Sequence, residues 1–137
     1  MSFALPIRIY WEDTDAGGIV FYANYLKFME RARTEWLRAL GIEMSVLARE
    51  LRCQFVVSRA DVAFRQPARL DDALIATVRL ARRSPARLVL DQRVSKGDEE
   101  LVHGTVTLAC VTTDTATECI GTSTNRSRTR GMSPLMM

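Results

Sequence analysis

The 137-residue chain is 47% hydrophobic and 26% charged, with 7 Gly and 4 Pro, close to average soluble globular usage, and its length sustains one hydrophobic core rather than two. No run approaches the ~18–20 consecutive apolar residues of a membrane span, and the start MSFALPIRIYWED lacks the basic-then-apolar order of a secretory signal, so a cytoplasmic protein is expected. The net charge of +3 resides in Arg126, Arg128 and Arg130; removing these three from the 19 basic residues leaves 16 against 16 acidic ones, and a neutral body with a basic tail is a poor nucleic-acid surface, since phosphate binding needs clustered cations on the folded face.

Residues 5–11, LPIRIYW, alternate apolar and polar side chains and predict a first strand, ended by the acidic, Gly-containing stretch Glu12 to Gly18. From Asn24, the apolar positions Tyr25, Met29, Ala32, Trp36 and Leu40 recur at spacings of 4, 3, 4 and 4, which is one helical stripe. With Asn24 as N-cap and Gly41 as the stop, the helix spans about 16 residues, or ~24 Å. Glu30 with Arg33, Arg31 with Glu35, and Glu35 with Arg38 are oppositely charged at three- or four-residue spacing and predict ion pairs on its polar face.

A second helical piece is expected around Met44 to Leu51. Four strand-like runs follow, Gln54–Phe64, Ala73–Ala81, Ala86–Ser95 and Leu101–Thr112, each bounded by turn chemistry such as Ser84-Pro85 and Lys96-Gly97-Asp98. Short links favour antiparallel neighbours. After Asp114, Thr, Ser, Arg and Gly dominate without a period, so residues 122–137 read as a flexible basic tail on a domain covering 1–121. The set is an α+β fold in which one helix ~10 Å wide faces five strands ~24 Å across; the uncovered apolar area and an unpaired edge predict a homodimer.

Cys53, Cys110 and Cys119 are widely spaced with no CxxC, and His103 is the single histidine, so reduced thiols and no metal site are expected. His103 lies in a strand run without a visible partner and reads as structural. The most informative segment is Tyr10 to Tyr25, YWEDTDAGGIVFYANY, in which Glu12, Asp13 and Asp15 precede Gly17-Gly18 and a helix start. Adjacent glycines let the backbone approach a ligand, and N–H groups near a helix start stabilise negative charge. A carboxylate beside such a cradle is what acyl transfer uses, one group attacking the carbonyl or activating water while donors hold the oxyanion. An Asp in such a loop also serves as an ordinary turn residue, and spacing alone does not separate the two roles.

The segment resembles the hotdog-fold acyl-CoA thioesterases, in the branch of 4-hydroxybenzoyl-CoA thioesterase and the Tol-Pal-associated thioesterases. The pattern D-x-D-x-x-G-[IV]-V-[FWY]-[YH]-x-x-Y falls on Asp13, Asp15, Gly18, Ile19, Val20, Phe21, Tyr22 and Tyr25, and the likeness continues through ERARTEWL (Glu30 to Leu37) and RQPARLDD (Arg65 to Asp72). The resemblance implies a five-stranded antiparallel sheet wrapped around one long central helix, a homodimer joined edge to edge with the site at the interface, and a homotetramer as a dimer of dimers. It implies hydrolysis of acyl-CoA or aroyl-CoA to free acid and CoA, with CoA as part of the substrate and no metal or redox cofactor.

By the same resemblance Asp15 is the catalytic carboxylate, as nucleophile or general base, and Gly18, Ile19 and Tyr22 position the substrate and its oxyanion, the Tyr22 amide foremost. Arg82, Arg83 and Arg87, around the Ser84-Pro85 turn, are the residues expected to meet the CoA phosphates. Tyr22-Ala23-Asn24-Tyr25 stands where many relatives have YHASY, so the histidine some members place beside the aspartate is missing. Tyr25, Phe28, Met29 and Trp36 read as helix core, with Phe21 and Phe28 also placed to border an acyl pocket. The competing reading is a non-catalytic acyl-CoA or acyl-carrier binding module of the same fold.

Overall fold

The computed structural model describes residues 2–114. Cys119, the end of the 1–121 domain and the 122–137 tail lie outside the described residues. Strands β1 (Ser2–Arg8), β2 (Cys53–Phe64), β3 (Ala73–Ser84), β4 (Arg87–Lys96) and β5 (Glu99–Thr112) form one antiparallel sheet in the order β1-β3-β4-β5-β2. Among the described residues the two outer strands, β1 and β2, each pair on one side only.

The first strand stops at Arg8, short of the expected Trp11. Tyr10 N–H donates to Asp13 Oδ2 at 2.8 Å and Asp13 N–H donates to the Tyr10 carbonyl at 3.0 Å. That reciprocal pair bends Trp11–Asp13 into a 3-10 turn, which local bonding favours over continued pairing.

Helix α1 (Asn24–Ala39) has 16 residues and is followed by a short α2 (Met44–Val46) and a π-helical turn, Leu47–Leu51. The helical part of the fold is thus one helix of moderate length plus a short piece. Asn24 opens α1 but is not its cap: Ala23 holds that position, and Asn24 Nδ2 instead donates to the Asp13 carbonyl at 2.9 Å. The stop at Gly41 is as expected. Gly41 has φ +89°, its N–H donates to the Arg38 carbonyl and that of Ile42 to the Leu37 carbonyl, both at 2.9 Å, the paired bonds of a Schellman motif.

Helix α1 packs on β1, β3 and β4, and buries Tyr25, Phe28, Met29, Ala32, Trp36 and Leu37 against Leu74, Ala76, Val78, Leu90, Val94 and Val106. Of the three expected ion pairs, Glu35–Arg38 forms at 2.6 Å. Arg33 turns inward: it lies four residues after Met29 and three before Trp36, on the apolar stripe, and is only 5% exposed. Its partner there is Gln92 of β4, itself fully buried. Among the described residues no helix is long and apolar enough to cross a membrane.

Candidate active site

Residues 13–21 double back as a small hairpin. Asp15 N–H donates to the Ile19 carbonyl at 2.9 Å, Phe21 N–H to the Asp13 carbonyl at 3.0 Å, and Thr14 stands opposite Val20. Gly18 makes the reversal with φ +80° and donates to the Asp15 carbonyl at 3.0 Å. A side chain there would strain the backbone.

The Asp15 carboxylate sits at the hairpin tip and is exposed. Its Oδ1 accepts the Gly17 N–H at 2.8 Å, an Asx turn that fixes the rotamer, and Oδ2 makes no hydrogen bond among the described residues. Gly17 matters for that contact, because a Cβ on it would stand 3.2 Å from Oδ1. The donor beside Asp15 is therefore this loop amide rather than the α1 terminus.

Residues 66–72 hold the hairpin from the other side. Val20 N–H donates to the Ala68 carbonyl at 2.9 Å, Ala68 N–H donates to the Tyr25 hydroxyl at 3.0 Å, and Ile19 stands opposite Arg69. Burial pushes the Tyr25 phenol above its usual range, against the opposing pull of the Ala68 bond. Burial alone would raise the Asp72 carboxyl, but the Arg69 N–H at 2.8 Å and the Lys96 ammonium at 2.9 Å outweigh it and hold Asp72 below the usual range.

The expected site residues divide between two hollows. Asp15 and Gly18 open on one of about 490 Å³, together with Trp11, Thr14, Ala16 and Leu70. Ile19 and Tyr22 line a second cleft of about 270 Å³ with Tyr25, Phe64 and Pro67. The Tyr22 ring meets Phe64 edge-on with centroids 5.7 Å apart, and its backbone N–H finds no acceptor among the described residues. Phe28 is buried in the core and borders neither hollow, and Phe64 stands in the place expected of it.

Arg82 and Arg83 are exposed at the end of β3, and Arg87 opens β4 across the Pro85-Ala86 turn. The 12 residues of β3 separate that turn from Ala73 and the Asp15 hollow, ~36 Å along an extended strand, so one chain does not bring these arginines to its own Asp15. His103 likewise stands apart, with Nε2 at 2.7 Å from Asp91 Oδ1, in a network where Arg79 and Arg93 also reach Asp91. Among the described residues no group of three His, Cys, Asp or Glu is placed to hold a metal ion. Trp11 and Leu70 were not legible as site residues: the first lay in the strand alternation and the second in a loop without chemistry of its own.

A thioesterase superfamily family model matches residues 17–103, beginning just after Asp15. The acyl-CoA thioesterase YbgC of Haemophilus influenzae is 40% identical over 110 residues, covering 80% of this chain and 81% of its own length. The acyl-CoA thioester hydrolase YbgC of Escherichia coli is 41% identical over 110 residues, with the same two coverages of 80% and 81%. Among solved structures, a probable thioesterase from Bartonella henselae superposes with a TM-score of 0.80 at 29% identity, covering 96% of this chain and 100% of that one. A 1,4-dihydroxy-2-naphthoyl-CoA thioesterase from Synechocystis superposes with a TM-score of 0.81 at 19% identity over 88% and 89%, a likeness of fold.

Proposed function

The chain belongs to the thioesterase superfamily, and from that premise we propose that it hydrolyses acyl-CoA thioesters to free acid and CoA with Asp15 as the catalytic carboxylate. The observation that carries the reading is the state of that carboxylate, which lines an open hollow with one oxygen fixed by Gly17 N–H at 2.8 Å and the other without a hydrogen bond among the described residues. A carboxylate held this way has one oxygen to anchor it and one to react. As nucleophile, Oδ2 adds to the thioester carbonyl, the C–S bond breaks, CoA leaves as thiolate to be protonated by solvent, and water then hydrolyses the mixed anhydride. As general base, the same oxygen takes a proton from the water that attacks the carbonyl. The Tyr22 N–H, which precedes the Ala23 cap of α1 and has no acceptor among the described residues, is the proposed oxyanion donor, with Gly18 and Ile19 shaping the approach.

The active form we propose is a homodimer, with the sheet wrapped around α1 in the hotdog manner and a homotetramer as a pair of such dimers. Arg82, Arg83 and Arg87 then serve CoA phosphates at the partner's site, since within a chain they lie far along β3 from Asp15. Thiol release from short, medium, long and aromatic acyl-CoAs tests the reading. Wild type is expected to turn over at least one, and Asp15→Asn to lose ~10³-fold or more while keeping its melting temperature. Binding of acyl-CoA with no turnover by either protein overturns the enzyme in favour of a binding module. Arg82→Ala with Arg83→Ala is expected to raise KM for acyl-CoA and leave the acyl-pantetheine KM unchanged.

A further inference from the structure

Trp11 is the feature of the Asp15 hollow that the chemistry above does not use. Its side chain is among the most exposed large apolar groups of the chain, 80% accessible, whereas Trp36, the other of the 2 tryptophans, is 4% accessible in the core. Its backbone is nonetheless held firmly. Thr14 N–H and Thr14 Oγ1 both donate to the Trp11 carbonyl, at 3.1 and 2.9 Å, and the reciprocal Tyr10–Asp13 bonds close the turn around it. Leaving an indole in water forfeits the burial that usually stabilises a large aromatic. A rigid turn that presents one beside a reactive carboxylate matches a binding wall.

The lining of the hollow narrows what the wall meets. Trp11 and Leu70, the latter 39% accessible, are its large apolar side chains, and among the described residues no cation lines it. Glu12, Asp13 and Asp15 instead concentrate negative charge in and next to the turn. The phosphates of CoA are repelled from such a place, which leaves to Trp11 the two uncharged flanks of a thioester held at Asp15, the pantetheine arm and the acyl group, and only contact with the acyl group makes the effect of Trp11 depend on the acyl chain.

We propose that Trp11 is a specificity-determining residue: its indole is a wall of the hollow it lines with Leu70, against which an uncharged apolar acyl group packs beside Asp15. The inference rests on the thioesterase reading and deepens it. Aliphatic chains beyond acetyl and aromatic acyl groups gain contact area on the indole; acetyl does not reach far along it, and acyl groups ending in a carboxylate are repelled.

The test is thiol release by wild type, Trp11→Ala and Trp11→Phe from acetyl-, hexanoyl-, benzoyl- and succinyl-CoA, beside ligand-induced fluorescence in an Asp15→Asn background. Trp11→Ala is expected to lower kcat/KM for hexanoyl- and benzoyl-CoA by about 10- to 100-fold, mainly through KM, and for acetyl-CoA by less than about threefold. Trp11→Phe, which keeps a flat wall, is expected to stay within about threefold of wild type on all four. Hexanoyl-CoA is expected to quench the long-wavelength emission of the exposed indole in Asp15→Asn, a response absent when Trp11→Phe is added, with buried Trp36 as internal reference. An equal loss on every thioester, a shift to monomer in sedimentation, or no quench by hexanoyl-CoA overturns the role of Trp11. No thiol release from any thioester by wild type overturns the hydrolase reading itself.

Discussion

Arg33 Nη1 donates to Gln92 Oε1 at 3.1 Å, and Gln92 Nε2 donates in turn to the Met29 carbonyl at 2.9 Å, so a buried polar chain joins the middle of α1 to β4. Among the described residues Arg33 Nε has no partner, and no carboxylate is hydrogen-bonded to the guanidinium. Desolvation lowers the Arg33 pKa to about 10, with Glu30 pulling the other way. The amide of Gln92 is what makes the charge tolerable.

Gln92→Leu is therefore expected to cost about 2–4 kcal/mol of stability in urea unfolding, because it removes the acceptor and leaves the charge. Arg33→Met is expected to cost less. The pH dependence has a definite sign. Below about pH 10 both folded and unfolded chains hold the proton, and the native state bears the full burial cost; above it the native chain releases the proton while the unfolded chain still keeps it. The contribution of Arg33 thus rises with pH, and the stability of wild type relative to Arg33→Met is expected to improve from about pH 8 to about pH 11.

Asp91 organises the opposite face of the sheet. Burial alone pushes its carboxyl up, but bonds from Arg79 at 2.8 Å, Arg93 at 3.3 Å and His103 at 2.7 Å outweigh this and hold it below the usual carboxylate range. A depressed carboxyl stabilises above its unfolded pKa and loses that stabilisation as pH falls through the folded value. Asp91→Asn is expected to cost about 2 kcal/mol at neutral pH and progressively less on acidification below about pH 4, read from urea midpoints across that range.

Gly104 is a packing glycine. A Cβ there would stand 2.7 Å from Met29 Cε and 3.3 Å from Val62 Cγ2. The methionine end can swing away, so Gly104→Ala is expected to cost about 1 kcal/mol and Gly104→Val about 3. Combining Gly104→Ala with Met29→Ala is expected to be less destabilising than the sum of the single changes, which a double-mutant cycle measures.

Gly17→Ala probes the reactive carboxylate without touching it. The new methyl stands 3.2 Å from Asp15 Oδ1 and crowds the Asx turn, on a backbone that tolerates alanine. The expected result is a drop in kcat for thiol release of about tenfold with a melting temperature within about 2 °C of wild type.

The five strands and α1 are legible because alternation and 3.6-residue spacing act locally: of the predicted stripe, Tyr25, Met29, Ala32 and Trp36 form the buried face, while Leu40, just past the helix end, is exposed. Arg33 breaks the reading because charge argues for solvent, while its position on the stripe, answered by Gln92 across the sheet, decides otherwise. The strand end at Arg8 was hidden because a two-way bond between Tyr10 and Asp13 depends on rotamers rather than on pattern. Asp15 is visible as a motif, yet its anchoring by Gly17 and the neighbourhood of Trp11 and Leu70 arise from tertiary placement. Sequence spacing likewise put Arg82, Arg83 and Arg87 on the turn after the third strand without revealing that Asp15 shares its hollow with Leu70, ahead of the other end of that strand.

The Ala68 clamp has a kinetic meaning. Its backbone N–H is fixed by Tyr25 and its carbonyl by Val20, across a separation of 43 residues for the first bond. Closing a loop of that size is an entropic step that nearby turns and α1 do not require. A refolding chain therefore recovers its helix signal before Asp15 is in place, and regain of turnover reports a long-range closure rather than the first local order.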